Sequence, residues 1–376
     1  MANILVVDDI DDNVVLLTMI LEKLGHTVFP AYSGRAALAV AGAERLDLVI
    51  LDVMMPEMSG LEVATHLKGN EATRHIPIIL LTAKKGDVKD IVEGLAAGAN
   101  EYLTKPFHET ELVARVNSML RMKALYDEVS SAKAIMTEEL RMAQAVQESL
   151  LPTIIPYPDQ IRFFAHYEAA SSLGGDFYDI LDYGNGRVGV VMADVSGHGP
   201  SAALIVSMVK AILHSLTGPE ITPRIALERL NLSLLKMIPE ERFVTIFLGS
   251  LELATGELTY ARGGHPHPLI IRKATGQIAR LEGDGDIIGM FDKVELDENR
   301  ILLEKGDRLF AYSDGLLEAC GDNGQQYGLV SLLKTVEAGV NGSGQDMVND
   351  IVRDVRGFSG GVALDDDMAL FLLERL

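Results

Sequence analysis

Val188-Gly189-Val190-Val191-Met192-Ala193-Asp194-Val195-Ser196-Gly197-His198-Gly199 begins as an apolar run and closes on an acid followed by two glycines. The run reads as a buried strand with Asp194 at its end. Three further stretches set aspartates beside short apolar runs. They are Gly174-Gly175-Asp176-Phe177-Tyr178-Asp179, Ser313-Asp314-Gly315 after Leu309-Phe310-Ala311-Tyr312, and Asp365-Asp366-Asp367. A carboxylate at the end of a buried strand is costly unless something positive neutralises it. No lysine or arginine lies inside these motifs. Oxygen-rich, nitrogen-poor clusters suit hard divalent cations such as Mg²⁺ or Mn²⁺. Turn signals at Tyr183-Gly184-Asn185-Gly186 and Ala254-Thr255-Gly256-Glu257 join short strands into hairpins, hence antiparallel sheet. Helical stretches over residues 200–217, 223–237 and 345–356 lie between them. Two antiparallel sheets flanked by helices are expected, an α+β arrangement.

Residues 1–121 carry a different pattern. Strand-like segments over 4–7, 27–31, 48–51, 76–81 and 101–103 alternate with helical stretches over 14–24, 34–41, 60–68 and 88–97. Repeated βα units imply an α/β doubly wound parallel sheet covered on both faces. Ligands of such sheets bind beyond the carboxyl ends of the strands. The polar residues there are Asp8 and Asp9, Asp52, Thr82 and Lys105. A single aspartate in such a place is best read as a turn former. Five typed residues in order are better read as a site. Three neighbouring carboxylates invite Mg²⁺. Asp52 can then attack a phosphoryl donor, with Lys105 and Thr82 holding the phosphoryl oxygens.

The motifs Val6-Val7-Asp8-Asp9, Leu51-Asp52-Val53-Met54-Met55-Pro56, Leu81-Thr82-Ala83 and Tyr102-Leu103-Thr104-Lys105-Pro106-Phe107 resemble the receiver domain of response regulators. The resemblance implies phosphorylation of Asp52 by a sensor histidine kinase. It implies Mg²⁺ held by Asp9, Asp52 and the Met54 carbonyl, with Asp8 contributing directly or through water. Tyr102 resembles the aromatic switch residue that answers movement of Thr82.

From about residue 140 onward, the four aspartate motifs resemble the bacterial PPM-type serine/threonine phosphatases of the SpoIIE/RsbU kind. That resemblance implies an αββα sandwich with two Mn²⁺ or Mg²⁺ ions between the sheets. Asp194 would bridge them, with Asp176 on one side and Asp314 and Asp366 on the other, and the Val195 carbonyl a further ligand. Asp365 and Asp367 adjoin Asp366, so the register there is open by one residue. Two metals sharing a carboxylate lower the pKa of a water for in-line attack on phosphorus. His198 is a candidate proton donor, although a lone histidine is more often structural. His265 and His267 in Gly264-His265-Pro266-His267 lack the further ligands of a zinc site, and a structural turn is expected. Ala369 stands where the family pattern has Thr or Ser, and Ala169 where proline is common. Neither change removes a ligand.

Residues 122–152 form the connector between the receiver domain and a phosphatase domain over 153–376. Residues 109–150 contain no proline and no glycine and are rich in helix formers. Leu125, Val129, Ala132, Met136, Leu140, Ala143, Gln147 and Leu150 form a heptad-like stripe, ended by Pro152. The stripe fits either a homodimer through paired linker helices or an amphipathic helix packed on its own phosphatase domain.

Lys and Arg total 33 against 54 Asp and Glu, a formal charge of −21. Such an acidic chain is poorly matched to nucleic acid or to an anionic membrane. The single cysteine, Cys320, rules out an intrachain disulfide and fits a reducing compartment. With no signal-peptide pattern at the start, a cytoplasmic location is expected. Two functions follow. One is a response regulator whose receiver controls a phosphatase acting on a phosphoprotein. Family resemblance suggests a STAS-type anti-sigma-factor antagonist in a partner-switching pathway. The other is a non-catalytic adaptor that docks a partner through the same fold. The complete set Asp176, Asp194, Asp314 and Asp366 favours the enzyme, because a buried acidic cluster without metal is expensive to keep.

Overall fold

The computed structural model describes residues 1–82, 96–216, 218, 220–321, 324–362 and 364–376. The helix expected over 88–97 falls almost wholly outside them. Two compact units are present, Met1–Met136 and Thr137–Leu376.

In the first unit, β1 (Asn3–Val7), β2 (Thr27–Ala31), β3 (Leu48–Asp52), β4 (Ile78–Thr82) and β5 (Glu101–Thr104) form one sheet in the order β2-β1-β3-β4-β5. All the pairings are parallel. The fourth strand starts two residues later than expected. Ile76 turns its amide back to Thr73, and Pro77 has no N–H to give, so the strand opens at Ile78. β3 and β4 are buried along their whole length, as a sheet covered on both faces requires. Alternate residues feed separate cores. Leu5, Val7, Val49 and Leu51 pack with Ala37, Val63 and Leu67. Ile4, Val6, Leu48 and Ile50 pack with Leu17, Leu21, Leu112 and Val116.

One helix of 41 residues runs from Glu109 to Ser149. Glu109 and Glu111 in its first turn complement the positive end of the helix dipole. Stripe residues Leu125, Val129 and Met136 are 57%, 68% and 62% exposed, whereas Gln147 is buried. Lys123 is also buried, its ammonium held by both oxygens of Asp127 at 2.7 and 2.5 Å.

The second unit contains two antiparallel sheets. One is ordered β13-β10-β9-β8-β7, from Glu298–Leu302, Glu257–Gly263, Val244–Glu252, Arg187–Val195 and Asp176–Asp182. The other is ordered β12-β11-β14-β15-β6, from Ile278–Arg280, Leu269–Ile271, Arg308–Tyr312, Met368–Arg375 and Ile161–Glu168. Period-2 alternation builds the layers. Val188, Val190 and Met192 of β8 meet Ala369, Phe371 and Leu373 of β15 between the sheets. Val191, Ala193 and Val195 face outward to the helices Pro200–Ser215 and Pro223–Leu234. Met368, Leu370 and Leu372 face the helices Gly328–Gly339 and Gly344–Phe358. The result is the expected helix–sheet–sheet–helix stack. The β7–β8 turn uses Gly184, Asn185 and Gly186 at φ 75°, 55° and 78°, a left-handed run open mainly to these residue types. No described helix is long and apolar enough to cross a membrane.

Candidate active site

Three polar ends of the parallel sheet meet. Lys105 Nζ lies 2.6 Å from Asp8 Oδ2 and 2.5 Å from Asp52 Oδ1. The second oxygen of Asp52 accepts the Met54 amide at 3.0 Å. Asp8 is held by the Ile10 amide and the Asn13 carboxamide, all at 3.0 Å. Burial pushes the Asp52 carboxyl up, and Asp8 adds to this, against the pull of Lys105 and the Met54 amide. Burial disfavours the Lys105 charge, but the two aspartates outweigh it and hold the ammonium above its usual range. Thr82 is buried at the end of β4 beside this group, its carbonyl accepting the Lys105 amide at 2.7 Å. Asp9 and Met54 are exposed at the rim. Tyr102 is half-buried against the core, with the Arg115 guanidinium 5.8 Å from its ring centre.

In the sandwich, Asp176 opens β7 and stands directly across from Asp194 near the end of β8. Both share the parity of the residues between the sheets. Asp314 follows β14 and the Asp365-Asp366-Asp367 run precedes β15, its partner in the facing sheet. The charged groups acting most on Asp176 are Asp194, Asp367 and Asp314, all negative, and burial with this crowding drives its carboxyl well above the ordinary range. One oxygen of Asp176, Oδ2, is buried and has no hydrogen-bond partner. Burial, with Asp314, Asp366, Asp367 and Glu318, pushes Asp194 up to about 7. Burial and Glu318 raise Asp314, and burial with Asp314 and Asp367 raises Asp366. His198 is exposed and its charge acts on Asp366. Val195 accompanies Asp194 in β8, its amide given to the Gly175 carbonyl at 3.1 Å.

The three consecutive aspartates take different positions. Asp365 and Asp366 are exposed, and Asp367 is buried. The carboxylate of Asp367 accepts the amides of Ala170 at 2.8 Å, Gly175 at 2.6 Å and Asp176 at 3.4 Å. It is spent on holding the loop that carries Asp176. Among the described residues Asp366 accepts the Asp367 amide alone, at 2.8 Å, and its side chain is exposed. Among the described residues no three His, Cys, Asp or Glu side chains stand close enough to cage a metal as placed. The acids are gathered but not closed. An all-oxygen donor set, an orphaned buried carboxylate oxygen and mainly acidic neighbours fit hard divalent cations.

The sequence model of Stage II sporulation protein E (SpoIIE) matches residues 184–376, more than half of the chain. The chain belongs to the SpoIIE family. The response regulator receiver domain matches residues 4–117. A receiver thus precedes a SpoIIE-type domain. Phosphoserine phosphatase RsbU of Bacillus subtilis (strain 168) is 28% identical over 275 residues, 72% of this chain and 80% of that protein. Response regulator PleD of Caulobacter vibrioides is 45% identical over 133 residues, 35% of this chain. The chain spans only 29% of PleD's own length. The solved SiaA-PP2C domain of Pseudomonas aeruginosa superposes with a TM-score of 0.57 at 17% identity, covering 66% of this chain and 99% of that one. It shares the fold.

The SpoIIE-type domain holds polar contacts that its motifs do not announce. Asp179, three residues beyond Asp176, is buried against Lys210 Nζ and His214 Nε2, both at 2.9 Å. The neutralising cation that the motif lacks is supplied by the helix Pro200–Ser215. His265 is buried with Nδ1 2.9 Å from the Thr245 hydroxyl, and burial pushes its imidazole down to about 3. His267 Nδ1 lies 2.9 Å from the Leu281 carbonyl. The two imidazoles take separate partners, in keeping with a structural turn.

The crowding makes one stability prediction. Asp176→Asn keeps the shape and removes a buried acid whose ionisation burial and its acidic neighbours oppose. In metal-free protein it should raise the melting temperature by about 2–8 °C, from roughly 1–2 kcal/mol of relieved burial. Added Mn²⁺ should then stabilise the variant far less than wild type, as read by thermal denaturation with and without Mn²⁺. A lower metal-free melting point would mean that Asp176 is a hydrogen-bonding residue of the fold instead.

Proposed function

We propose that the SpoIIE-type domain hydrolyses phosphoserine or phosphothreonine on a partner protein, and that the receiver controls it from Asp52. The observation that carries this reading is Asp176 standing across from Asp194 on neighbouring strands, where the charged groups that act most on the pair are all acids, Asp314, Asp366 and Asp367 among them. Asp194 would bridge two Mn²⁺ or Mg²⁺ ions, with Asp176 on one side, Asp314 and Asp366 on the other, and the Val195 carbonyl as a further ligand. Ions bound there supply Lewis acidity and lower the pKa of a water. His198, exposed beside Asp366, would donate a proton to the departing serine oxygen. In the receiver, Asp8, Asp9, Asp52 and the Met54 carbonyl would hold Mg²⁺, and Lys105 and Thr82 would steady the phosphoryl oxygens on Asp52. Tyr102 would follow Thr82.

The phosphodonor would be a sensor histidine kinase. The likeness to RsbU, a phosphoserine phosphatase, supports phosphoserine as target; the motif resemblance suggests a STAS-type anti-sigma-factor antagonist as substrate in a partner-switching pathway. The working division is receiver 1–121, linker 122–152 and phosphatase 153–376. The exposed Leu125, Val129 and Met136 support a homodimer through the linker.

The test is hydrolysis of p-nitrophenyl phosphate with Mn²⁺, by wild type and Asp52→Ala, each with and without acetyl phosphate. Wild type should take up one acid-labile phosphoryl group and change its turnover. Asp52→Ala should take up none and keep one unmodulated rate. Turnover indifferent to the donor would keep the enzyme and remove the switch. No turnover and no Mn²⁺ binding would favour the adaptor.

A further inference from the structure

We infer that Gln147 is a positioning residue for the metal loop: its carboxamide ties the last turns of the helix Glu109–Ser149 to the backbone of Gly174 and so sets where Asp176 stands. This rests on the function proposed above.

The contact has two halves. Gln147 Nε2 donates to the Gly174 carbonyl at 2.6 Å, and Gln147 Oε1 accepts the Gly174 amide at 3.1 Å. Both backbone groups of one residue are satisfied by one side chain. Only a carboxamide offers a donor and an acceptor side by side in this way, and asparagine is a methylene shorter. Gln147 is 9% exposed, while Glu148 and Ser149 beside it are exposed. One turn earlier on the same face Ala143 is exposed and Gln144 half-buried, so the burial of Gln147 is local to this contact.

Gly174 is held where no side chain fits, since a Cβ there would strike the Tyr167 hydroxyl and the Asp367 carboxylate. The next groups are also engaged. The Gly175 amide goes to Asp367 and the Gly175 carbonyl accepts the Val195 amide. From Gly174 to Asp176 the backbone is thus placed by Gln147, Asp367 and β8. Of these, Gln147 alone belongs to the long helix. The end of that helix is fastened a second time, because Lys210 donates to the Leu150 carbonyl at 2.5 Å while paired with Asp179. Gly174 and Asp179 flank Asp176 on either side. A helix advanced by one residue turns about 100° and rises about 1.5 Å, which would carry Gln147 off Gly174. The loop therefore depends on the register of the helix.

The full-length protein, Gln147→Ala, Gln147→Met and the exposed-site control Met142→Ala are titrated with Mn²⁺ by calorimetry. Amide hydrogen exchange is followed across residues 170–178 without metal. Gln147→Ala should weaken Mn²⁺ binding about tenfold, the usual scale for a residue that orients a ligand. It should raise the half-saturating Mn²⁺ for p-nitrophenyl phosphate by the same factor, with turnover recovered at saturating metal. Exchange at 174–176 should accelerate in both Gln147 variants and not in Met142→Ala. A folded Gln147→Ala with unchanged Mn²⁺ affinity and exchange overturns the inference. If Gln147→Ala does not fold, Gln147→Met decides on the same readouts, since it keeps the length of the side chain and loses both hydrogen-bonding groups. Wild type that binds no Mn²⁺ overturns the phosphatase reading, and the exchange arm still decides the clamp.

Discussion

Asp194→Ala should abolish Mn²⁺-dependent hydrolysis of p-nitrophenyl phosphate. If Asp194 bridges two cations as proposed, its loss would remove several kcal/mol of electrostatic stabilisation, and each 1.36 kcal/mol is tenfold, so a fall of roughly 10³-fold is expected. The fold should survive, because Asp194 is repelled by Asp314, Asp366 and Asp367 and its removal relieves them. The same crowding sets a pH dependence. The Asp194 carboxyl, at about 7 without metal, must lose its proton to bind a cation. Mn²⁺ affinity should therefore weaken as pH falls through 7. For the metal-free protein the sign is opposite. A carboxyl raised in the folded state favours folding at low pH, and that contribution fades as pH rises from the unfolded value near 4 to about 7. Titration calorimetry and melting curves from pH 5.5 to 8 read both. An Asp194→Ala protein that retains Mn²⁺-dependent turnover would remove the bridging role.

Asp366→Ala and Asp367→Ala should fail in different ways. Asp367 receives the Ala170 and Gly175 amides at 2.8 and 2.6 Å and the Asp176 amide at the longer 3.4 Å. Bonds to a charged acceptor are each worth about 1.5–3 kcal/mol, so two good ones lost amount to roughly 3–6 kcal/mol. Relief of its repulsion with Asp176 and Asp194 offsets part of that. A melting point lower by roughly 10 °C is expected, with activity lost as a consequence. Asp366 is exposed and accepts one amide, so Asp366→Ala should melt within about 2 °C of wild type while losing Mn²⁺ binding. A stable, metal-free Asp367→Ala beside an unstable, metal-binding Asp366→Ala would move the ligand by one residue.

These contrasts show where sequence reading ends. Aspartates at strand ends mark a site because strand parity and burial are local properties. Asp8, Asp52 and Lys105 meet because a parallel sheet brings its carboxyl ends to one edge. Asp176 and Asp194 meet because a hairpin joins their strands. Which of Asp365, Asp366 and Asp367 turns inward depends on the amides of Ala170 and Gly175, nearly 200 residues away. Periodicity places Gln147, which is buried, on one stripe with Leu125, Val129 and Met136, which are exposed. It is silent on whether the burial is apolar or, as here, a hydrogen bond to a loop 27 residues on. The cation for Asp179 was invisible for the same reason, since Lys210 sits on a helix 31 residues beyond the motif. The strand set back to Ile78 shows a smaller limit, one proline overriding an apolar run.

The Asp367 clamp also orders events during synthesis. The Gly175 amide emerges from the ribosome 192 residues before the carboxylate that receives it. At about 5–20 residues per second that interval is roughly 10–40 s. During it Asp176 and Asp194 can pair across their hairpin, but the loop beside them has no anchor from β15. A nascent chain therefore holds its receiver sheet complete while its second acidic site is still unseated, and the domain becomes competent only when its late-made strand slides between β14 and β6.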